Sequence, residues 1–233
     1  MKNLAVSLNE TMELIKGLTD LLSDKQKTEL RGNITIQKYQ KNEIIYNEGD
    51  VPTNLLCLIS GKVKVYKSGV GGRTQIIRVI KPVQYLGYRA YFANQNYVTA
   101  ASAFETSYVC KIPMDLVYRW MEENIALSLF FVRQLSLDLG VSDQRTVSLT
   151  QKHIRGRLAE ALLFLQESYG LEEDGATLSI YLTREDLANL SNMTTANAIR
   201  TLSAFAAEKI VAIDGRKIKI IDMDAVRKIS KIG

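Results

Sequence analysis

The sequence predicts an α+β chain: an antiparallel β-barrel or jelly roll, then a long helix, then a small helical domain that closes on a β-hairpin. Three observations carry that expectation. Apolar residues alternate with period two from Ile34 to Pro113, return to helical spacing after Pro113, and end in two capped helices followed by two short apolar strands. With 233 residues, 46% hydrophobic and 24% charged, the composition is that of an ordinary globular protein of two domains.

Residues 1–30 have helical spacing, with Leu14, Leu18, Leu21 and Leu22 on one face and Ser23 opening a polar turn, SDKQKTEL. The period then changes. ITIQKYQ, EIIYNEG, NLLCLIS, KVKVYKSG, TQIIRVIKP, YVTAASAFE and TSYVCKIP alternate or run apolar between Gly, Pro and Asn turns, which makes roughly eight short strands. Cys57 and Cys110, the two cysteines, both lie inside such runs and are expected as buried free thiols of a reducing compartment. GVGGRT, Gly69 to Thr74, superficially resembles a phosphate-cradling loop, but it lacks the lysine and the following helix and is expected to be a hairpin turn. The start, Met1-Lys2-Asn3, has no signal-type apolar core, and no apolar stretch is read as membrane-spanning, so a cytoplasmic protein is expected.

From Met114 to Thr150 there is no proline and one glycine, Gly140, and between Ile125 and Val141 apolar residues fall on more than one face. Such a helix has two sides to bury. One would pack on the barrel and the other on its twin in a second subunit, which predicts a homodimer through residues 114–150; the plainer alternative is a helix buried within a monomer. The expected domains are therefore 1–113, a sensing barrel with lead-in helices; 114–150, the dimerisation helix; and 151–233, the C-terminal domain.

HIRGRLAEALLFLQESYG reads as an amphipathic helix with Leu158, Leu162 and Leu165 in one stripe and Gly170 as C-cap. After the acidic LEEDG and the strand-like TLSIYL come two capping signals, Thr183 with Asp186 and Thr194 with Asn197. Leu187, Leu190, Ile199 and Leu202 are expected on the inner faces, and the break SNMT turns one helix sharply into the next. KIVAIDGRKIKIID adds two strands around Asp214-Gly215, completing a winged helix-turn-helix.

The formal charge is +5, and the segment from Thr183 onward holds nine basic against six acidic side chains, a net +3. Phosphate contacts would supply salt-sensitive affinity, and the exposed face of the second helix would read base edges. Arg200 is the expected reader, since a guanidinium binds guanine bidentately; Thr195, Asn197 and Thr201 are shorter-reaching partners and Thr194 is cap and phosphate ligand. Thr183 and Lys217 complete the candidate DNA-binding set. The plainer reading of Arg200 is an ion pair with a surface carboxylate.

IIYNEGD, CLISGKVKVY, YLGYRAYF, GRLAEALLFL and LTREDLANLSNMTTANAIRTLSAFAAEKIV together resemble the Crp/Fnr family of bacterial transcription regulators, over about residues 20 to 222. The resemblance implies a cyclic-nucleotide-binding-like jelly roll, a dimer on a two-fold-symmetric DNA site, an effector in the barrel and contact with RNA polymerase. It also marks departures. Cyclic AMP binders of the family carry Gly-Glu-Leu-x-x-Phe followed by Arg-Ser-Ala, with Glu on the ribose and Arg on the phosphate. Here Gly87 stands, but Tyr88 takes the Glu place and Val98, Thr99 and Ala100 the Arg-Ser-Ala places.

A buried phosphate without its cation costs several kcal/mol, which argues against cyclic AMP. Arg89 would serve only through a one-residue slip, against strand alternation. The expected alternatives are a pocket lined by Tyr85, Tyr88, Tyr91 and Tyr97 for a neutral or aromatic effector, no effector at all, or plain core and rim for these tyrosines. No cysteine precedes Cys57, which argues against an iron-sulfur cluster. Haem would need Met, Tyr, Cys or a backbone ligand, because the one histidine, His153, lies at the junction with the last domain. By place, Glu172, Glu173 and Asp174 resemble a polymerase-contact loop of family activators; by composition they are a solvated turn.

A second functional class stands beside the regulator: a non-enzymatic small-molecule or haem sensor acting through protein partners. Catalysis is disfavoured, since there is one histidine, no cluster of metal ligands and no nucleophile motif.

Overall fold

A computed structural model describes residues 7–69 and 74–232. The lead-in is three helices, α1 (Leu8–Leu14), α2 (Lys16–Thr19) and α3 (Asp24–Asn33). Ser23 does not open a turn. Its hydroxyl accepts from the Gln26 amide while the Gln26 side chain accepts from the Ser23 amide, a capping box that starts α3. Leu18 and Leu22 are buried, whereas Leu14 is 43% exposed and leaves the expected stripe.

Eight strands follow: β1 (Thr35–Tyr39), β2 (Ile44–Tyr46), β3 (Asn54–Ser60), β4 (Val63–Ser68), β5 (Thr74–Ile80), β6 (Tyr85–Leu86), β7 (Ala100–Ala103) and β8 (Ser107–Pro113). They form two four-stranded sheets in the orders β1-β8-β3-β6 and β2-β7-β4-β5, the expected jelly roll with open edges. The turn expected at GVGGRT lies between neighbouring strands β4 and β5, but residues 70–73 are outside the described residues.

The pleat of β3 explains how its apolar run is used. Leu56 and Leu58 face the second sheet, into a core with Tyr39, Tyr46, Val63, Val65, Ile80, Tyr97 and Ala101. Leu55, Cys57 and Ile59 face the other way, under the helices, with Ile15, Leu18, Leu30, Ile112, Trp120, Leu127 and Phe131. Both sides of the strand are therefore covered, which is why it reads apolar rather than alternating. Cys57 sits opposite Cys110 across the β3–β8 ladder. Both are buried free thiols; burial raises the pKa of each, that of Cys110 to about 12.

The expected single helix is two: α5 (Met114–Glu123) and α6 (Ile125–Gln151). Asn124 breaks it with extended backbone; its side-chain nitrogen donates to the Leu21 carbonyl at 2.6 Å and its side-chain oxygen accepts from the Leu127 amide. α5 belongs to the barrel core through Met114, Leu116, Val117 and Trp120. α6 buries Leu127 and Phe131 but exposes Ile125, Leu129, Val132, Leu137, Leu139, Val141 and Val147. By length and composition alone, α6 is long and apolar enough to cross a membrane, contrary to the sequence expectation. Arg133, Gln134, Asp138 and the polar run at 142–146 interrupt its apolar residues, so no uninterrupted run betrays the mean.

The chain packs as two compact units, Met1–Lys67 with Ile77–Leu139, and Ser68–Ile76 with Gly140–Gly233. In the second, α7 (Ile154–Tyr169) buries Leu158, Leu162 and Leu165, and Gly170 ends it at φ +74°. TLSIYL is not a strand. It makes isolated bridges, Leu171 with Leu178 and Thr177 with Lys219, while Leu178, Ile180 and Leu182 anchor it in the core. α8 (Arg184–Leu190) and α9 (Thr195–Ala207) follow, then the hairpin β9 (Val211–Asp214) and β10 (Lys217–Ile220). Asp214 pairs with Lys217, so the two-residue loop is Gly215-Arg216. A last helix, α10 (Met223–Ile232), is an addition; Asp222 caps it by accepting from the Ala225 amide at 2.8 Å.

Candidate DNA interface and barrel pocket

The two helices of the C-terminal unit start where their caps dictate. The Thr183 hydroxyl accepts from the Asp186 amide at 3.0 Å, and that of Thr194 from the Asn197 amide at 3.2 Å. Thr183 also donates to the Asp186 carboxylate and is only half exposed, so it sets α8 in place. α9 is held from below by Ala198, Thr201, Leu202 and Phe205. From outside, Arg155 of α7 stacks over the Phe205 ring and forms a bidentate pair with Glu208 at 2.8 and 2.7 Å.

This packing sorts the candidates. Thr194, Thr195 and Arg200 are exposed, and Arg200 donates to the side-chain oxygen of half-buried Asn197, which orients the guanidinium. Its partner is thus a neighbour on its own helix, not the surface carboxylate of the plainer reading. Thr201 is 5% exposed and faces the core, too deep to meet a base. Ile199, expected inside, is 45% exposed and faces solvent. The buried series 198, 201, 202, 205 is the helical stripe that would have revealed both errors. Lys217 is exposed on the hairpin, 5.4 Å over the Tyr181 ring and 3.9 Å from Glu172.

The acidic loop is engaged with that same hairpin. Asp174 accepts from the amides of Ala176 and Thr177 and the Thr177 hydroxyl, and pairs with Lys219 at 3.2 Å. Those bonds hold its carboxyl well below the usual carboxylate range. Glu173 stays exposed, so of the three polymerase-contact candidates it is the freest. His153 is exposed at the N-cap of α7.

In the barrel unit, the cassette forms β6, a turn at Gly87 and the short helix α4 (Tyr88–Phe92). Gly87 has φ +93°, and a Cβ there would stand 2.6 Å from the Asn54 carbonyl oxygen, so no other residue fits. The tyrosines do not converge on one pocket. Tyr85 and Tyr88 lie on the helix side of β3 with Phe130 and Phe131, whereas Tyr97 lies between the sheets, stacked on Tyr46 at 3.9 Å. Tyr91 is half-buried and donates to Asp115 at 2.8 Å.

Tyr88, in the acidic-anchor place, is 2% exposed and donates to Asp138 of α6 at 2.5 Å. Arg78 of β5 donates to the same Asp138 oxygen at 2.7 Å. Burial, and then the neighbouring carboxylate, push the Tyr88 phenol pKa up, so it stays a neutral donor. Three elements therefore meet at Asp138, and half-buried Arg78, a cation near the cassette, is already paired there. Sequence reasoning named neither Arg78 nor Asp138. Tyr85 is the opposite case: its buried hydroxyl has no hydrogen-bond partner among the described residues. Val98 and Arg89 are exposed, and Thr99 sits half-buried beside Tyr46.

Comparison with known proteins places both units. Residues 36–124 match the sequence model of the cyclic nucleotide-binding domain, and residues 156–229 that of the Crp-like helix-turn-helix domain. The chain is 27% identical over 205 residues to the regulatory protein HlyX of Actinobacillus pleuropneumoniae, covering 87% of this chain and 85% of that one. It is 22% identical over 191 residues to the CRP-like cAMP-activated global transcriptional regulator of Mycobacterium tuberculosis, covering 82% and 85%. The structure of FixK2 from Bradyrhizobium japonicum superposes with a TM-score of 0.76 at 19% identity, over 84% of this chain and 96% of that one.

Proposed function

The chain belongs to the Crp/Fnr family of DNA-binding transcription regulators, and from that premise we propose that it works as a homodimer whose barrel does not take a cyclic nucleotide. The observation that carries this is the Tyr88–Asp138 hydrogen bond. A phenol that needs Asp138 as its acceptor occupies the place of the ribose-binding carboxylate, and Arg78, the nearby cation, serves Asp138 as well. A cyclic phosphate entering there would meet an Arg78 already paired with Asp138 and would displace a buried donor.

Dimerisation rests on α6. Ile125, Leu129, Val132 and Leu139 fall at spacings of four, three and seven along its exposed side, the a/d pattern of a two-helix seam. Two copies would place their α9 helices on successive major grooves of a two-fold-symmetric site. The protein acts in the cytoplasm by binding rather than catalysis, and the names of its relatives favour a regulator over a sensor that works through protein partners. Glu173 is the residue left to touch RNA polymerase.

Selection from random duplexes with the purified chain should return a palindrome, bound with a steep salt dependence. Cyclic AMP and cyclic GMP at micromolar concentration should leave the melting temperature unmoved. Failure to enrich any palindrome overturns the DNA reading; a clear ligand-dependent rise in melting temperature overturns the barrel reading.

A further inference from the structure

α9 presents Thr195, Ala196, Ile199, Arg200 and Ser203 to solvent. This face is less polar than the sequence implied, and its largest apolar member, Ile199, is 45% exposed beside Arg200. Helix stability does not account for an isoleucine there. A β-branched side chain is a weaker helix former than Lys, Glu or Arg, and the core beneath is filled by Ala198, Leu202 and Phe205.

The major groove supplies a reason. The apolar group that base pairs present there is the C5-methyl of thymine. Ala196 is a helical neighbour of Ile199 at i,i+3 and of Arg200 at i,i+4, so the three form one continuous patch, apolar at one end and cationic at the other. Asn197, the alternative polar reader, has its side-chain oxygen committed to Arg200 and is left without the bidentate pair that adenine recognition needs. The net +3 of the surrounding segment fits a polyanion as occupant.

We infer that Ile199, with Ala196 beside it, reads thymine methyl groups next to the guanine bound by Arg200, so that each half-site carries a guanine with a thymine at a fixed short distance. The inference deepens the regulator reading and rests on it. Replacing thymine by deoxyuridine removes the methyl and keeps every hydrogen-bonding group, which makes it the direct probe.

With the site selected by the wild-type chain, deoxyuridine at one thymine near the guanine in each half-site should weaken binding on the order of fourfold, the worth of burying one methyl group. Ile199→Ser is exposed enough to fold normally; it should lose the distinction between thymine and deoxyuridine while keeping the guanine preference. Arg200→Ala should do the reverse. Equal binding of every deoxyuridine duplex by the wild type, or an Ile199→Ser variant that still discriminates, overturns the inference and leaves the regulator reading intact. A wild-type chain that selects no site at all overturns the regulator reading and this inference with it.

Discussion

Tyr88 is the residue on which the proposed loss of the cyclic nucleotide turns. Its hydroxyl is nearly buried and has a charged acceptor, a bond worth about 1.5–3 kcal/mol when made. Asp138→Ala leaves that hydroxyl unpaired and Arg78 without its partner, so the barrel should lose about 2 kcal/mol of stability in urea unfolding. Tyr88→Phe alone should cost less, because the Arg78 pair survives. In the double variant the losses should fall short of their sum; strict additivity would mean that the two side chains do not share a bond. The substitution at position 88 was legible from the resemblance. Its partners were not, since Asp138 and Arg78 lie 50 and 10 positions away and meet it only through the fold.

At the scale of elements, what is decided locally was legible and what is decided by partners was not. Both helix-turn-helix caps, the SNMT break and Gly170 depend on a few consecutive residues, and each was found where it was expected. TLSIYL alternates like a strand, yet a strand exists only with a ladder beside it, and here isolated bridges are all it makes. Asn124 caps α6 by accepting from the Leu127 amide, a local signal that was readable and missed, whereas its bond to the Leu21 carbonyl, 103 positions away, was not readable. Ser23-x-x-Gln26 was readable and missed: a capping box looks polar, and so does a turn. The cap at α9 has a measurable weight. Thr194→Ala should lower stability by about 1 kcal/mol, read from the urea midpoint, whereas the exposed neighbour Thr195→Ala should stay within about 0.5 kcal/mol.

At the scale of the molecule, the exposed side of α6 is the feature a lone chain leaves unsatisfied. Leu129 is 60% exposed and makes no claim on the core of its own unit, so Leu129→Asp should leave the monomer folded. Sedimentation should find a dimer for the wild type and a monomer for this variant, and the variant's binding to a palindrome should fall toward that of a single half-site. A variant that still sediments as a dimer would move the interface off this helix. The sequence announced the helix and its excess of apolar residues; the side left bare emerged once Leu127 and Phe131 were seen to take the other.

The proposed seam along α6 and the proposed reading face on α9 draw on separate residues, so damage to one does not exclude a chain from the other's partnership. A gene copy carrying a ruined reading face and an intact seam would still enter dimers, and each such dimer would withdraw a working chain. Loss-of-function alleles at Arg200 or Ile199 should therefore be dominant over the wild type, while those at Leu129 should be recessive.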